Sequence, residues 1–399
     1  MKATLSAGLS ALQGKLGGLV GKVINGRQQI GRLSVPYGTS REPRTCDQQF
    51  LLNQYALTVR DWRAATLAQR AAWDLLGEPE HLSGFDWLVR QQCSMPANRG
   101  LTWVLAQTLG TPTKIYSIIN LGGGVCIAGV TPLGQVWRSI DYGLTWTLAQ
   151  QLGTASDVYS CAYLGGGVCI AGVTPLGRIW RSIDYGLTWT LAQRLGTASQ
   201  ALTLANIGSG VCIAGVYPLG QVWRSIDYGL TWTLVQQLGT ETDVYSLIYV
   251  ENGVCLAGTY PTGQIWRSVN YGLTWTLAQP ILSATFVFSL AYLGCGVCLA
   301  GTHPTGQVWR SVDYGLTWTL VQRLGLSSQI PAIVYLGGGI CLANAIPIKQ
   351  IWRSIDYGLT WSLAQYLNTT STPFSLATLG GGFCVAGAYP LGQIWRSAP

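Results

Sequence analysis

The residues of this chain best suited to chemistry recur at a fixed interval. Aspartates stand at Asp141, Asp184, Asp227, Asp313 and Asp356, with Asn270 filling the one remaining slot, and every step is 43 residues. Carboxylates brought together in pairs are what glycoside hydrolysis and general acid–base catalysis require. Thiols keep the same step at Cys126, Cys169, Cys212, Cys255, Cys298, Cys341 and Cys384, and Cys295 with Cys298 makes a Cys-x-x-Cys of the kind that can ligate zinc. Arginines repeat with them from Arg138 to Arg396.

The spacing argues against a catalytic centre in each case. Every aspartate lies in a Ser-x-Asp-x-Gly-x-Thr-Trp segment, where a short carboxylate bonds to backbone amides two or three positions on, as Asx turns do. Equivalent cysteines in successive repeats lie too far apart for a disulfide, which needs Cα atoms within about 7 Å, so they read as small buried core residues. The Cys-x-x-Cys has no second pair, and His81 and His303 are the only histidines, so no metal site is expected. Unpaired thiols in this number favour maturation in a reducing cytoplasm.

The elements that carry these residues are set by two tryptophan series. Trp-Arg-Ser opens at Trp137, Trp180, Trp223, Trp266, Trp309, Trp352 and Trp395; Gly-Leu-Thr-Trp ends at Trp103, Trp146, Trp189, Trp232, Trp275, Trp318 and Trp361, again at 43-residue steps. A period near 40–45 with about four short strands per unit is the signature of β-propeller blades. In one unit the strands read as residues 157–164, 168–173, 178–182 and 187–192. Thr174-Pro-Leu-Gly177 forms the hairpin between the second and third, with proline setting φ and glycine supplying a left-handed residue. The expected fold is therefore mainly β: a seven-bladed propeller over residues 96–399, preceded by a small α+β domain over residues 1–95. Ser397 and the segment Asn98 to Trp103 are two halves of one repeat, so the first Gly-Leu-Thr-Trp strand should complete the last blade and close the ring, leaving no open edge there.

Composition excludes several functions. Residues 1–99 hold 12 basic and 7 acidic side chains, and residues 100–399 hold 12 and 9. That balance is too dilute for nucleic-acid binding. Residues 5–20 are interrupted by Gln13, Lys15 and glycines, so they form neither a signal-peptide core nor a membrane span.

Within residues 1–95, Asn25-Gly26 between residues 18–24 and 27–35 is a hairpin signal. Thr45 with Gln48 and Thr66 with Gln69 are capping-box patterns leading into two helices, and a third short helix is expected at residues 85–92.

Two resemblances carry these readings toward function. The Ser-x-Asp-x-Gly-x-Thr-Trp segment resembles the Asp-box, or bacterial neuraminidase repeat. That likeness implies that Asp141, Asp184, Asp227, Asn270, Asp313 and Asp356 hold their own turns, and that Trp146, Trp189, Trp232, Trp275, Trp318 and Trp361 pack between neighbouring sheets. A sialidase would also need an arginine triad and a glutamate-activated tyrosine. The propeller has only Glu241 and Glu251, and its arginines are spread around the ring. The chain is thus not expected to be an enzyme or to need a cofactor. The N-terminal segment, with Gly14-Lys-Leu-Gly-Gly-Leu-Val20, the Asn-Gly hairpin, Glu42-Pro-Arg-Thr45, Gln48-Gln49, Trp62-Arg63, Thr66 to Trp73 and Ser83-Gly-Phe85, is similar to a small family of bacteriophage and prophage structural proteins. It implies a protein made in the host cytoplasm and anchored through residues 1–95 to capsid or tail proteins as one of several copies, its ring displayed outward.

Binding residues are sought where the copies differ. The links from fourth strand to next first strand vary, with Lys114 and Phe286 among the departures. In the sixth unit Asn344 and Lys349 replace glycines present in the other six, with Ile348 beside them. The repeated tyrosines, Tyr142 to Tyr357, offer a second set of rings for sugar stacking. The expected function is a non-catalytic virion surface protein, for decoration or for receptor or glycan binding, contacting neither nucleic acid nor membrane. A cellular Asp-box scaffold or lectin, similar to photosystem assembly factors, is the alternative, and a glycosidase the third.

Overall fold

A computed structural model describes residues 19–24, 27–32, 100–110, 114–153, 156–367, 371–380 and 383–397. The chain divides into two compact units, Met1–Ala97 and Asn98–Pro399. In the first, Leu19–Ile24 pairs antiparallel with Arg27–Arg32, with Ile24 opposite Arg27. The helices expected after this hairpin lie outside the described residues.

The second unit is a propeller of seven four-stranded antiparallel sheets. The first blade runs Lys114–Gly122, Val125–Thr131, Gln135–Ser139 and Thr147–Gln151, and the others repeat this order. First strands of successive blades pack against one another all the way round, including the last against the first, so they surround the axis and the fourth strands form the rim. The seventh sheet is made of Thr372–Gly380, Phe383–Tyr389, Gln393–Ser397 and Trp103–Thr108, with Trp103 opposite Ser397. This is the strand exchange that the split repeat required.

Two local features differ from expectation. The fourth strand of the second blade starts at Thr190 rather than residue 187, because the preceding Leu187 and Thr188 amides are held by the Asp184 carboxylate. The hairpin proline is cis in all seven blades, from Thr131-Pro132 to Tyr389-Pro390, so the turn is not the trans-proline type that the sequence indicates.

Seven apolar clusters hold the ring, one at each junction between blades. Between the first and second, Trp189 packs with Leu121, Ile127, Val136, Leu152 and Val158. The Gly186 backbone lies against Ile127 so closely that a Cβ there would sit 2.8 Å from its Cγ2. Each rim tryptophan also donates its indole N–H to the carbonyl three residues back, as Trp189 does to Gly186 at 3.0 Å.

Side-chain amides add a circle of hydrogen bonds that the sequence reading missed. Gln150 accepts from the backbone N–H of Trp189 and donates to its carbonyl, at 2.8 and 3.0 Å, so a side chain of one blade satisfies the backbone of the next. Gln107, Gln193, Gln236, Gln279, Gln322 and Gln365 do the same around the ring.

Candidate functional site

The repeated carboxylates are consumed in their own turns. Asp184 Oδ1 accepts from Ser182 Oγ and from the Leu187 and Thr188 amides at 2.7–3.1 Å, and Oδ2 accepts from Thr188 Oγ1 at 2.5 Å. Burial pushes the carboxyl pKa up, but these donors outweigh it and hold it below the usual range. Asp141, Asp227, Asp313 and Asp356 are bonded alike, and Asn270 bonds Thr274 through both ends of its amide. The tyrosine beside each is left-handed, with φ near 58° at Tyr185, and covers a glycine of the adjacent hairpin. Its carbonyl accepts from an arginine of the preceding blade, Arg138 Nε to Tyr185 at 3.0 Å. Tyr185 lies beside Tyr163 and Tyr271 beside Tyr249 of their own blades, whereas Tyr142 lies 6.3 Å from Phe383 of the seventh blade.

The repeated thiols are equally committed. All seven are buried, and burial raises the Cys126, Cys212, Cys255 and Cys298 thiols to about 12. A thiol so far from ionising is a poor nucleophile or ligand. Among the described residues no three histidine, cysteine, aspartate or glutamate side chains group as a metal site.

The sixth blade, singled out by its substitutions, is explained from inside. In three of the other blades, at Gly258, Gly301 and Gly387, a Cβ would collide with a serine and a branched side chain, as at Gly301 with Ser289 Oγ at 2.5 Å and with Ile330. Around Asn344 those two positions are Ala332 and Pro373, which leave room for the longer side chain. Asn344 is wholly buried, and its Nδ2 donates to the Ser375 carbonyl at 3.4 Å. Its assignment to a partner contact is therefore corrected, since it presents no surface. Lys349 keeps the glycine conformation with φ 54°, and its carbonyl accepts from Leu367 N–H as that of Gly134 does from Leu152. Ile348 is half-buried against the junction between the fifth and sixth blades.

Lys114 and Phe286, by contrast, belong to one continuous cluster. The links between blades bond to the proline hairpins, as Gly177 N–H does to Ser199 O, so both lie on one face of the ring. At that face the 43-residue equivalents Tyr116, Tyr159, Leu202, Tyr245, Phe288, Pro331 and Phe374 surround the mouth near the start of the first strands, with Pro331 two residues ahead of its own. The Tyr116 ring lies 4.3 Å from Tyr159 and 5.4 Å from Phe374. Phe288 meets Phe374 edge-on at 6.4 Å, passing over the sixth blade, whose Pro331 supplies no ring. Phe286 lies 4.1 Å from Tyr260, 4.9 Å from His303, 5.1 Å from Tyr245 and 5.3 Å from Phe288. These rings are half-buried.

Charged groups punctuate the aromatics. Lys114 Nζ stands 3.7 Å from the centroid of Phe374 and 4.2 Å from that of Tyr116; burial lowers its pKa to about 8, with Asp157 pulling the other way. Asp157 accepts from Thr131 Oγ1. Asp243 is only 4% exposed, and burial, reinforced by Glu241 and opposed by Thr242, raises its carboxyl to about 6. Its Oδ1 and the Nδ1 of His303 are buried without a hydrogen-bond partner. Burial also lowers His303. The arrangement can stack flat or cationic groups and accept hydrogen bonds at its acids.

No family model matches this chain, and no curated protein matches it. Solved structures do. YCF48 bound to D1 peptide aligns at TM-score 0.62 and 15% identity over 77% of this chain and 100% of that one. A streptogramin B lyase aligns at 0.64 and 11%, covering 74% and 96%, and a GH74 xyloglucanase from Xanthomonas campestris at 0.54 and 15%, covering 73% and 53%. Binding proteins and enzymes thus share this architecture, and at such identities what the chain shares with them is the β-propeller fold.

Proposed function

We propose that this chain is a non-catalytic Asp-box propeller, carried on a bacteriophage particle by its N-terminal unit, that meets its partner at the aromatic mouth. The observation that carries the binding reading is where the copies diverge. Their turns, thiols and rim tryptophans are near-identical, while the mouth positions change from blade to blade: Lys114, Asp157, Gln200, Asp243, Phe286, Gln329 and Thr372 are equivalents. An asymmetric set of rings and charges on a symmetric frame suits recognition of one ligand. A protein partner is supported by YCF48, a similar propeller solved with a peptide. The absence of catalysis is supported by the saturation of the turn carboxylates and the high pKa of the thiols. The particle role rests on the residues quoted for the N-terminal segment.

Mass spectrometry of purified particles, with cryo-EM to locate the density, tests the first part. Stoichiometric recovery is expected; absence from particles would return the cellular scaffold or lectin to the front. Release of reducing sugar from a polysaccharide panel would overturn the non-catalytic reading.

A further inference from the structure

The two halves of the mouth are chemically unequal. On one, the protein supplies its own cation, with Lys114 Nζ seated over Phe374, Tyr116 and, at 5.1 Å, Tyr389. On the other, Tyr245, Tyr260, Phe286 and Phe288 form a comparable group of π faces, and the residue equivalent to Lys114 is an acid, Asp243. Among the described residues the cation–ring contacts are those of Lys114 and of Arg396, which lies over Phe383. The second group of rings therefore has a carboxylate beside it and no internal cation over it.

The state of Asp243 points the same way. A carboxylate this buried needs donors or a counter-charge. Its Oδ1 has neither, and Glu241 adds a second negative group close by, itself bonded to Thr262. On the strand paired with that of Phe286, His303 Nδ1 is also unpartnered. A positively charged donor would satisfy Asp243 and use the ring faces at once, as Lys114 does across the mouth.

We propose that this half of the mouth binds an alkylammonium or guanidinium group of the partner, seated against Tyr245, Tyr260 and Phe286 and closed by Asp243. The inference rests on the mouth being the binding face. The formal charge of the chain is +8, so a cation gains no general attraction to it and must be held locally.

Calorimetric titration of the full chain with tetralysine, tetra-arginine and spermidine, and with tetraglutamate as control, tests it. At least one cation should bind saturably, and Asp243→Asn or Phe286→Leu should weaken it by about tenfold. Asp184→Asn, which removes a carboxylate outside the mouth and copies Asn270, should leave it within about twofold. Binding by the peptides alone identifies a protein side chain as the source, and equal binding by spermidine a free polyamine. If Asp243→Asn fails to fold by circular dichroism, Phe286→Leu decides. No saturable cation binding, or affinity indifferent to the substitutions that fold, overturns the proposal. A glycan bound at the mouth and indifferent to Asp243→Asn would overturn the cation while leaving the mouth as the binding face, and particle association is read independently of both.

Discussion

The side-chain amide of Gln365 is bonded both ways to the backbone of Trp103, 262 residues away, accepting its N–H at 2.6 Å and donating to its carbonyl at 3.2 Å. The same pair occurs six more times between blades joined by continuous chain. Only here does it join the sixth blade to the N-terminal strand that completes the seventh, so one repeated bond supports the closure.

Gln365→Ala should therefore differ from Gln150→Ala. Each leaves two half-buried backbone groups of a tryptophan unpaired, a loss of about 2 kcal/mol. Only Gln365→Ala should also speed hydrogen exchange over Trp103–Thr108, because that strand is joined to the last blade by pairing alone. Equal exchange in the two variants would refute a special role at the seam.

The turn aspartates fix the sign of the acid response. Their folded pKa lies below the unfolded value of about 3.9, so their stabilisation is complete above that pH and is lost as pH falls through the folded value. Asp243, raised to about 6, acts oppositely: its contribution falls as pH rises between about 4 and 6. Below about pH 4 the turns dominate. Asp184→Asn, which copies Asn270, should flatten the loss of stability there, and Asn270→Asp should steepen it. Denaturant titrations at stepped pH measure both, and parallel curves for all three proteins would contradict the assignment.

Trp180 is an exception with a simple remedy. In the other blades the Trp-Arg-Ser indole N–H is accepted by a glutamine two residues back, as Trp223 by Gln221 at 3.2 Å. The second blade has Arg178 there, and Trp180 Nε1 is buried without a partner. Arg178→Gln should raise stability by about 1 kcal/mol, visible as a higher Tm, and Gln221→Arg should lower it by a similar amount. A lower Tm for Arg178→Gln would show that the arginine is worth more than the bond it displaces.

Lys349 holds a glycine's backbone conformation. Lys349→Gly should relieve a left-handed penalty of about 1 kcal/mol, partly offset by the freer unfolded chain, for a net gain of about 0.5 kcal/mol. Equilibrium unfolding reads it, and destabilisation would mean that the side chain contributes more than its strain costs.

The propeller was legible because its determinants are local and repeated: the turn aspartate and its donors lie within Ser182 to Thr188, and seven copies at a constant step leave little choice of fold. The closing strand followed from the split repeat. The glutamine circle was not legible, although Gln107 to Gln365 keep the step, because each partner lies in the next blade. The mouth was half seen. Lys114 and Phe286 stood out as departures, but Tyr116 and its equivalents passed as ordinary strand residues, and only closure of the ring brings them together. Asn344 misled because its departure from six glycines read as variation at a binding surface, while the compensating Ala332 and Pro373 are far apart in sequence.

The shared strand at the seam has a mechanical side. The described chain enters the ring at Gly100, whose backbone lies against Leu342, and Trp103 then begins a rim strand whose pairing partner is Gln393–Ser397. Tension on the chain ahead of Gly100 passes through the Gly100–Leu342 contact to the Trp103–Ser397 rung and the Gln365 amide. The rung and the amide therefore set the load at which the rim strand begins to peel from the seventh blade.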